Sequence, residues 1–230
     1  MLNLISEGKV TGPLTFEVRK LVVGGLSHRD QAAAQKHLDE AKLEGISFTP
    51  KTTPVFLPKV ADRITTGDTI EVLPDSRTSG EAEPVLLLGK DVIYIAAGSD
   101  HTDREVEKRD MVWSKQMCPS IISKKVWRYE DIKAHWDDII MRGWVVTADG
   151  KRQLYQEGKV GQFMAVEDFL KKTKEHVAGD LTGSVIFMGT IATLGGKMLY
   201  TPGFVAELVD EHLGRTLTCS YSIAPITWLK

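Results

Sequence analysis

Two glutamates one residue apart, Glu81 and Glu83, lead into an apolar run from Pro84 to Leu88. In an extended strand, residues two apart project from the same face, and Val85 and Leu87 share that parity. The acidic pair thus opens a strand that reads as buried. Burying carboxylates without compensation is costly, so the pair calls for a cation or a basic partner; a solvated strand end would show the same residues. A second apolar run, Val92 to Ala97, follows after Gly89, Lys90 and Asp91, a spacing that predicts a hairpin. If Lys90 and Asp91 form its loop, Asp100 sits opposite Glu81 and three carboxylates converge. A slip of one residue would turn Asp100 to the other face. Three hard oxygen donors without a cysteine or histidine pair suit Mg²⁺, Mn²⁺ or Ca²⁺ better than zinc. The neighbouring His101 and Asp103 read as hydrogen-bonding residues of the turn, with ligation as the alternative.

Three further features could do chemistry. His37 and Glu40 are three apart in a helix-forming run, hence on one face. A carboxylate beside an imidazole raises its basicity, as a general base requires; an exposed surface pair is the plainer reading. Lys115 is a single charge among the apolar and small residues of Val112–Pro119, placed either to snorkel or to face an anion. Gly189 and Thr190 begin a glycine-containing loop whose N–H groups and hydroxyl could hold a carboxylate, although most such loops are only turns. There is no Walker A loop, no Gly-x-Ser-x-Gly elbow, no Cys-x-x-Cys and no His-Glu-x-x-His, so nucleotide, serine-hydrolase and zincin chemistry lack support.

Strands and helices must position these groups. The pattern predicts strands over residues 14–24, 67–73, 83–88, 92–97, 143–147, 185–188, 204–209 and 216–224, with another leading into Tyr155 after a turn at Asp149-Gly150. Helices are expected after Ser27, read as an N-cap, to a stop at Gly45, and over 129–140 and 166–177. The prolines at 50, 54 and 58 keep the intervening stretch extended or looped. Strands dominate without βαβα alternation, which argues for an α+β fold. The 230 residues are 42% apolar and 26% charged, with 29 basic against 31 acidic side chains and a net charge of −2. This is globular composition with no basic excess for nucleic acid. No run approaches the ~18 apolar residues of a membrane span, and no secretory signal is visible. Cys118 and Cys219 read as buried thiols of a cytoplasmic protein.

Taken in chain order, these motifs resemble the fumarylacetoacetate hydrolase superfamily. The matching features are Glu81-Ala82-Glu83, the turn Asp100–Glu105, Ser114-Lys115-Gln116 with Cys118-Pro119 behind it, Gln156-Glu157-Gly158, and the stretch Gly183–Gly195 containing Gly189-Thr190. The early His37-x-x-Glu40 and the segment Pro54–Lys59 also fit. The likeness runs from about residue 28 to the end. It departs from the family in three places: Glu83 and Asp100 are joined by little more than a hairpin, Ile191 stands where the family has proline, and Ser184 where it has aspartate.

The resemblance implies a mixed β-sandwich or rolled sheet with short peripheral helices. It implies one catalytic domain over 1–230, with residues 1–27 as an N-terminal strand extension, and commonly a homodimer. By the same likeness, Glu81, Glu83 and Asp100 would hold Mg²⁺ or Mn²⁺, with Ca²⁺ able to substitute in crystals. His37 and Glu40 would form a lid-borne acid–base pair, and Lys115 would sit beside the developing oxyanion. Lys115, Gly189 and Thr190 would contact the substrate. The implied activity is hydrolysis of a C–C bond, or decarboxylation, of a small oxo-carboxylic acid through a metal-stabilised enolate. Alternatives are a hydratase or isomerase of an unsaturated oxo-acid, and a metal-stabilised binding protein without catalysis. Neither nucleic acid nor membrane is expected as a partner.

Overall fold

The computed structural model describes all residues except 31, 33–34, 36–37, 40–41, 43–44, 47–49, 51 and 229–230. The alternating and continuous apolar runs become two curled sheets. The larger runs strand to strand through Gly12–Phe16, Leu2–Glu7, Lys125–Arg128, Ile93–Ser99, Ala82–Leu88, Ser184–Phe187, Lys20–Gly25 and Val55–Lys59. Ser120–Ile122 also joins it beside Ile93–Ser99. The smaller sheet runs Arg152–Lys159, Ile140–Val146, Gly203–Asp210, Arg215–Pro225 and Thr69–Val72.

One core lies between the sheets, where Leu86, Ile95 and Trp127 of the larger meet Met141, Phe204 and Leu217 of the smaller. A second covers the opposite face of the larger sheet with Val85, Leu87, Val126, Val185 and Phe187. Ala82–Leu88 is therefore buried on both faces, which explains why its sequence is a continuous apolar run rather than an alternation. The mixture of strands and a few short helices is the α+β class expected.

Several local expectations change. Residues 14–24 are two strands, not one. Gly12–Phe16 pairs with Leu2–Glu7, whereas Lys20–Gly25 runs parallel to Ser184–Phe187; between them Glu17 and Arg19 pair in solvent, and the chain changes partners. The N-terminal strand extension buries Leu2, Leu4 and Phe16 in the second core. Ser27 is not a helix cap. Its hydroxyl donates to the Met188 carbonyl, and the Asp30 carboxylate accepts the Ala32 N–H instead. Residues 129–140 split into Tyr129–Ile132 and a 3₁₀ turn, Lys133–Asp138, where His135 leaves helical geometry (φ −131°, ψ 23°) and stands 3.0 Å from buried Asp210. The helices Arg104–Glu107 and Met111–Met117 were not anticipated.

Candidate metal centre

The hairpin that carries the acidic residues closes through Lys90 and Asp91, with the Gly89 N–H donating to the Val92 carbonyl at 2.8 Å. Its ladder pairs Ala82 with Ser99 and Glu83 with Gly98, so one further step sets Glu81 opposite Asp100. The register is the one required for convergence. Carboxylate oxygens of Glu81, Glu83 and Asp100 lie within 4.8 Å of one another. Asp100 is fully buried and Glu83 nearly so.

Cations reach this cluster from other elements. The helix Met111–Met117, capped by Asp110, presents the Lys115 ammonium 3.1 Å from Glu81, 3.0 Å from Asp100 and 3.5 Å from Glu107. Arg104 follows Asp103, whose carboxylate caps the short helix Arg104–Glu107. Its guanidinium donates to Ser79 and Glu107, both at 2.7 Å, and lies 3.2 Å from Glu81. Lys59, at the end of a sheet strand, is buried against Asp100 and Ser120 at 3.0 and 2.8 Å. Lys115 therefore does not snorkel; it is bound into the acidic cluster.

The electrostatics follow from burial and these pairs. Burial disfavours the charged lysine, yet Asp100, Glu81 and Glu107 outweigh it and raise the Lys115 pKa above the ordinary range. Burial would also raise Asp100, but Lys115 and Lys59 hold its carboxyl below the usual value. Lys59 itself is lowered, because burial exceeds the attraction of Asp100. Glu83 is the exception among the acids: burial, then Asp100 and Glu81, push it well above the usual range. Among the described residues no lysine or arginine pairs with it, and its Oε2 accepts only the Gly189 N–H, at 2.7 Å.

The loop after Phe187 is thus turned toward the protein's own carboxylate. Thr190 donates to the Ala82 carbonyl at 2.9 Å and accepts from Gln156 at 2.8 Å. Buried Gln156 also accepts the Ala82 N–H and donates to the Ile191 carbonyl, tying three segments together. His101 is fully buried, bonded to the Tyr221 hydroxyl at 2.9 Å, and burial lowers its pKa to about 3; it is a neutral packing residue. His37 and Glu40 lie outside the described residues, although Leu38, between them, lines the same cavity as Glu81, Glu83 and Lys115. Arg104, Glu107 and Lys59 are not singled out from the sequence as site residues: Lys59 is 41 residues from Asp100 and Arg104 is 25 from Ser79, and the local Arg104–Glu107 pair reads as an ordinary helix contact.

This arrangement can hold a hard divalent cation. Glu81, Glu83, Asp100 and Glu107 face Lys115, Arg104 and Lys59, so four carboxylates meet three cations. Asp100 Oδ2 lies 3.0 Å from the Lys115 ammonium, whereas Glu83 has no such ion pair among the described residues. A further positive charge would relieve Glu83.

Solved structures share the fold. A complex of Cg1458 with inhibitor superimposes with a TM-score of 0.68 at 17% identity, covering 94% of this chain and 81% of that one. 2-Keto-3-deoxy-D-arabinonate dehydratase complexed with magnesium and 2,5-dioxopentanoate gives 0.63 at 14%, covering 91% and 74%. A candidate HpcE protein from Mycobacterium smegmatis gives 0.63 at 18%, covering 91% and 76%. The chain therefore shares its fold with these enzyme structures, a strand-rich α+β fold of the kind the resemblance implied. No helix among the described residues is long and apolar enough to cross a membrane. No curated protein sequence matches the chain. The hairpin, both basic helices and the loop after Phe187 all fall within residues 24–221, the span matched by the model of one family, and by that match the chain belongs to the family described as protein of unknown function (DUF2848).

Proposed function

We propose that this chain is a divalent-metal-dependent enzyme that acts on a small oxo-carboxylic acid, cleaving a C–C bond by hydrolysis or decarboxylation. The observation that carries this reading is the meeting of three carboxylates on one hairpin, with buried Glu83 lacking an ion pair of its own among the described residues. Glu81, Glu83 and Asp100 would hold Mg²⁺ or Mn²⁺, the choice that all-oxygen donors favour. When bound, the ion supplies Lewis-acid stabilisation of the enolate charge that develops beside the substrate carboxylate.

The residues around it do the rest. Lys115 keeps a proton and a positive charge at the cavity floor, where a substrate oxygen gains negative charge. Arg104 fixes Glu81, Lys59 fixes Asp100, and the Gly189 N–H fixes Glu83, so the three acids are preorganised. His37, oriented by Glu40, is the proposed general base, an assignment that rests on the His-x-x-Glu spacing. Gly189 and Thr190 complete the wall on the substrate side. A homodimer in the cytoplasm is part of this reading; the exposed Val112, Trp113 and Met117 on one short helix offer an apolar contact surface. Light scattering should then give about twice 25.5 kDa.

A dehydratase acting through the same enolate is the second reading, favoured by the fold shared with 2-keto-3-deoxy-D-arabinonate dehydratase. The test is calorimetric titration with Mg²⁺ and Mn²⁺, followed by assays of the loaded protein on 2-oxo, 2,4-dioxo and 3-deoxy-2-oxo acids. Turnover of the first two classes supports cleavage and of the third dehydration. Failure to bind either ion would overturn both.

A further inference from the structure

The cavity above the acidic hairpin has two unlike halves. Its floor is Glu81, Glu83, Lys115 and Arg104; its walls include Val23, Leu26, Val55, Leu57, Met111 and Met198. These wall residues come from the strand Lys20–Gly25 and the residue after it, the strand Val55–Lys59, a helix and the segment after Phe187, none of which supplies a floor carboxylate. A substrate whose charged end lies on the floor must therefore send its remaining atoms past alkyl groups.

Among the described residues, most polar side chains of the cavity are already committed. All three guanidinium nitrogens of Arg104 are bonded or ion-paired within the protein. Gln156 uses both ends of its amide, and Thr190 both donates and accepts. The Thr193 hydroxyl donates to the Lys197 carbonyl. The Tyr155 hydroxyl accepts the Leu199 N–H and retains its own proton for one acceptor. A chain of several hydroxyls entering here would give up its water partners and find few replacements, and an unpaired buried hydroxyl is costly.

We infer that the substrate's distal group is compact and apolar, a short branched alkyl chain or a single ring, and not a polyhydroxylated chain. The inference rests on the oxo-acid reading above and names the substrate class within it. The whole cavity, floor included, has a volume of about 140 Å³, which the distal group must share with the head group, so that group is small.

The experiment is calorimetric titration of the Mg²⁺-loaded full chain with oxalate and a set of N-substituted oxamates, which offer a carboxylate and an adjacent carbonyl with a variable tail. From N-methyl through N-propyl to N-isobutyl, each added methylene should tighten binding by about three- to fourfold, and N-benzyl should bind at least as well as N-isobutyl. N-(2,3-dihydroxypropyl)oxamate should bind about tenfold or more weakly than its N-propyl counterpart. Equal affinity of those two, or no gain along the alkyl series while oxalate binds, would overturn the inference and leave the oxo-acid reading standing. If the protein binds the ion but neither oxalate nor any oxamate, the oxo-acid reading falls and takes this inference with it.

Discussion

Replacing Glu83 with glutamine separates the two demands placed on that side chain. In metal-free protein the buried carboxyl faces Asp100 and Glu81 without a cation of its own, and its pKa is pushed well above 4.5. Folding at pH 7 therefore requires it to take up a proton that the unfolded chain does not hold, or to stay charged against its neighbours. The first route costs about 1.4 kcal/mol for every pH unit between the unfolded value and the working pH, with a ceiling of about 3.5 kcal/mol at pH 7. Glutamine has nearly the same shape, still accepts the Gly189 N–H, and carries no charge in either state. Glu83→Gln should thus stabilise the metal-free protein by about 1–3 kcal/mol at pH 7, a rise in Tm of roughly 3–10 °C for a chain of this size. The sign with pH is fixed by the direction of the shift. A raised folded pKa leaves the wild type without a penalty below the unfolded value, and the penalty grows as pH rises toward the folded one. The advantage of the variant should vanish near pH 4.5 and widen toward neutrality. With Mg²⁺ or Mn²⁺ at a hundred times Kd, the wild type should gain about 2.7 kcal/mol, whereas the variant should gain little. Differential scanning calorimetry in chelator and in metal, at pH 5 and pH 7, measures all four quantities. A Glu83→Gln protein less stable than wild type in chelator at pH 7, or one with an undiminished response to metal, would refute the reasoning.

Other outcomes follow from the same contacts. Asp100→Asn leaves buried Lys59 and Lys115 facing a neutral amide, and should cost about 3–5 kcal/mol in urea unfolding. His37→Ala should lower kcat by ~10²–10⁴-fold while leaving the metal-induced rise in Tm unchanged, which separates a base from a ligand. Gly98→Ala would place a Cβ 2.5 Å from Val85 Cγ2 and 2.9 Å from Phe187 Cε1; overpacking of that kind should destabilise by about 1–3 kcal/mol, read as a lower thermal midpoint.

The acidic hairpin was legible because two local rules determine it. Period-two alternation sets Glu81 and Glu83 on one face, and a two-residue loop sets the register that brings Asp100 across. The same locality made the helix Val166–His176 and the turn at Gly150 readable. What supports the trio was not readable, because it arrives from afar: Lys59 is 41 residues from Asp100, and Gln156 is 74 from Ala82. The first strand did leave a trace, as Leu2 and Leu4 alternate with Asn3 and Ile5. Besides its antiparallel neighbour Gly12–Phe16 it pairs with the parallel strand Lys125–Arg128, and that parallel pairing has no turn signature to announce it. Asp110 before Met111 was likewise a usable cap signal for the helix that delivers Lys115.

The division of the cavity between chain segments has a consequence for how this protein can change. All three proposed ligands belong to one hairpin, while the apolar walls are carried mainly by Lys20–Gly25, Val55–Lys59 and the segment beyond Gly189. Wall positions such as Val23 or Leu57 can exchange side chains without moving a backbone atom of the hairpin, so tail preference can drift while head-group chemistry is retained. The exceptions are Lys59, which holds Asp100 from the end of a wall strand, and Gly189 and Thr190, which grip Glu83 and Ala82 from the same loop that continues into the wall. That loop is the hinge between the two inheritances, and mutational libraries aimed at new substrates would do best to vary the walls and spare it.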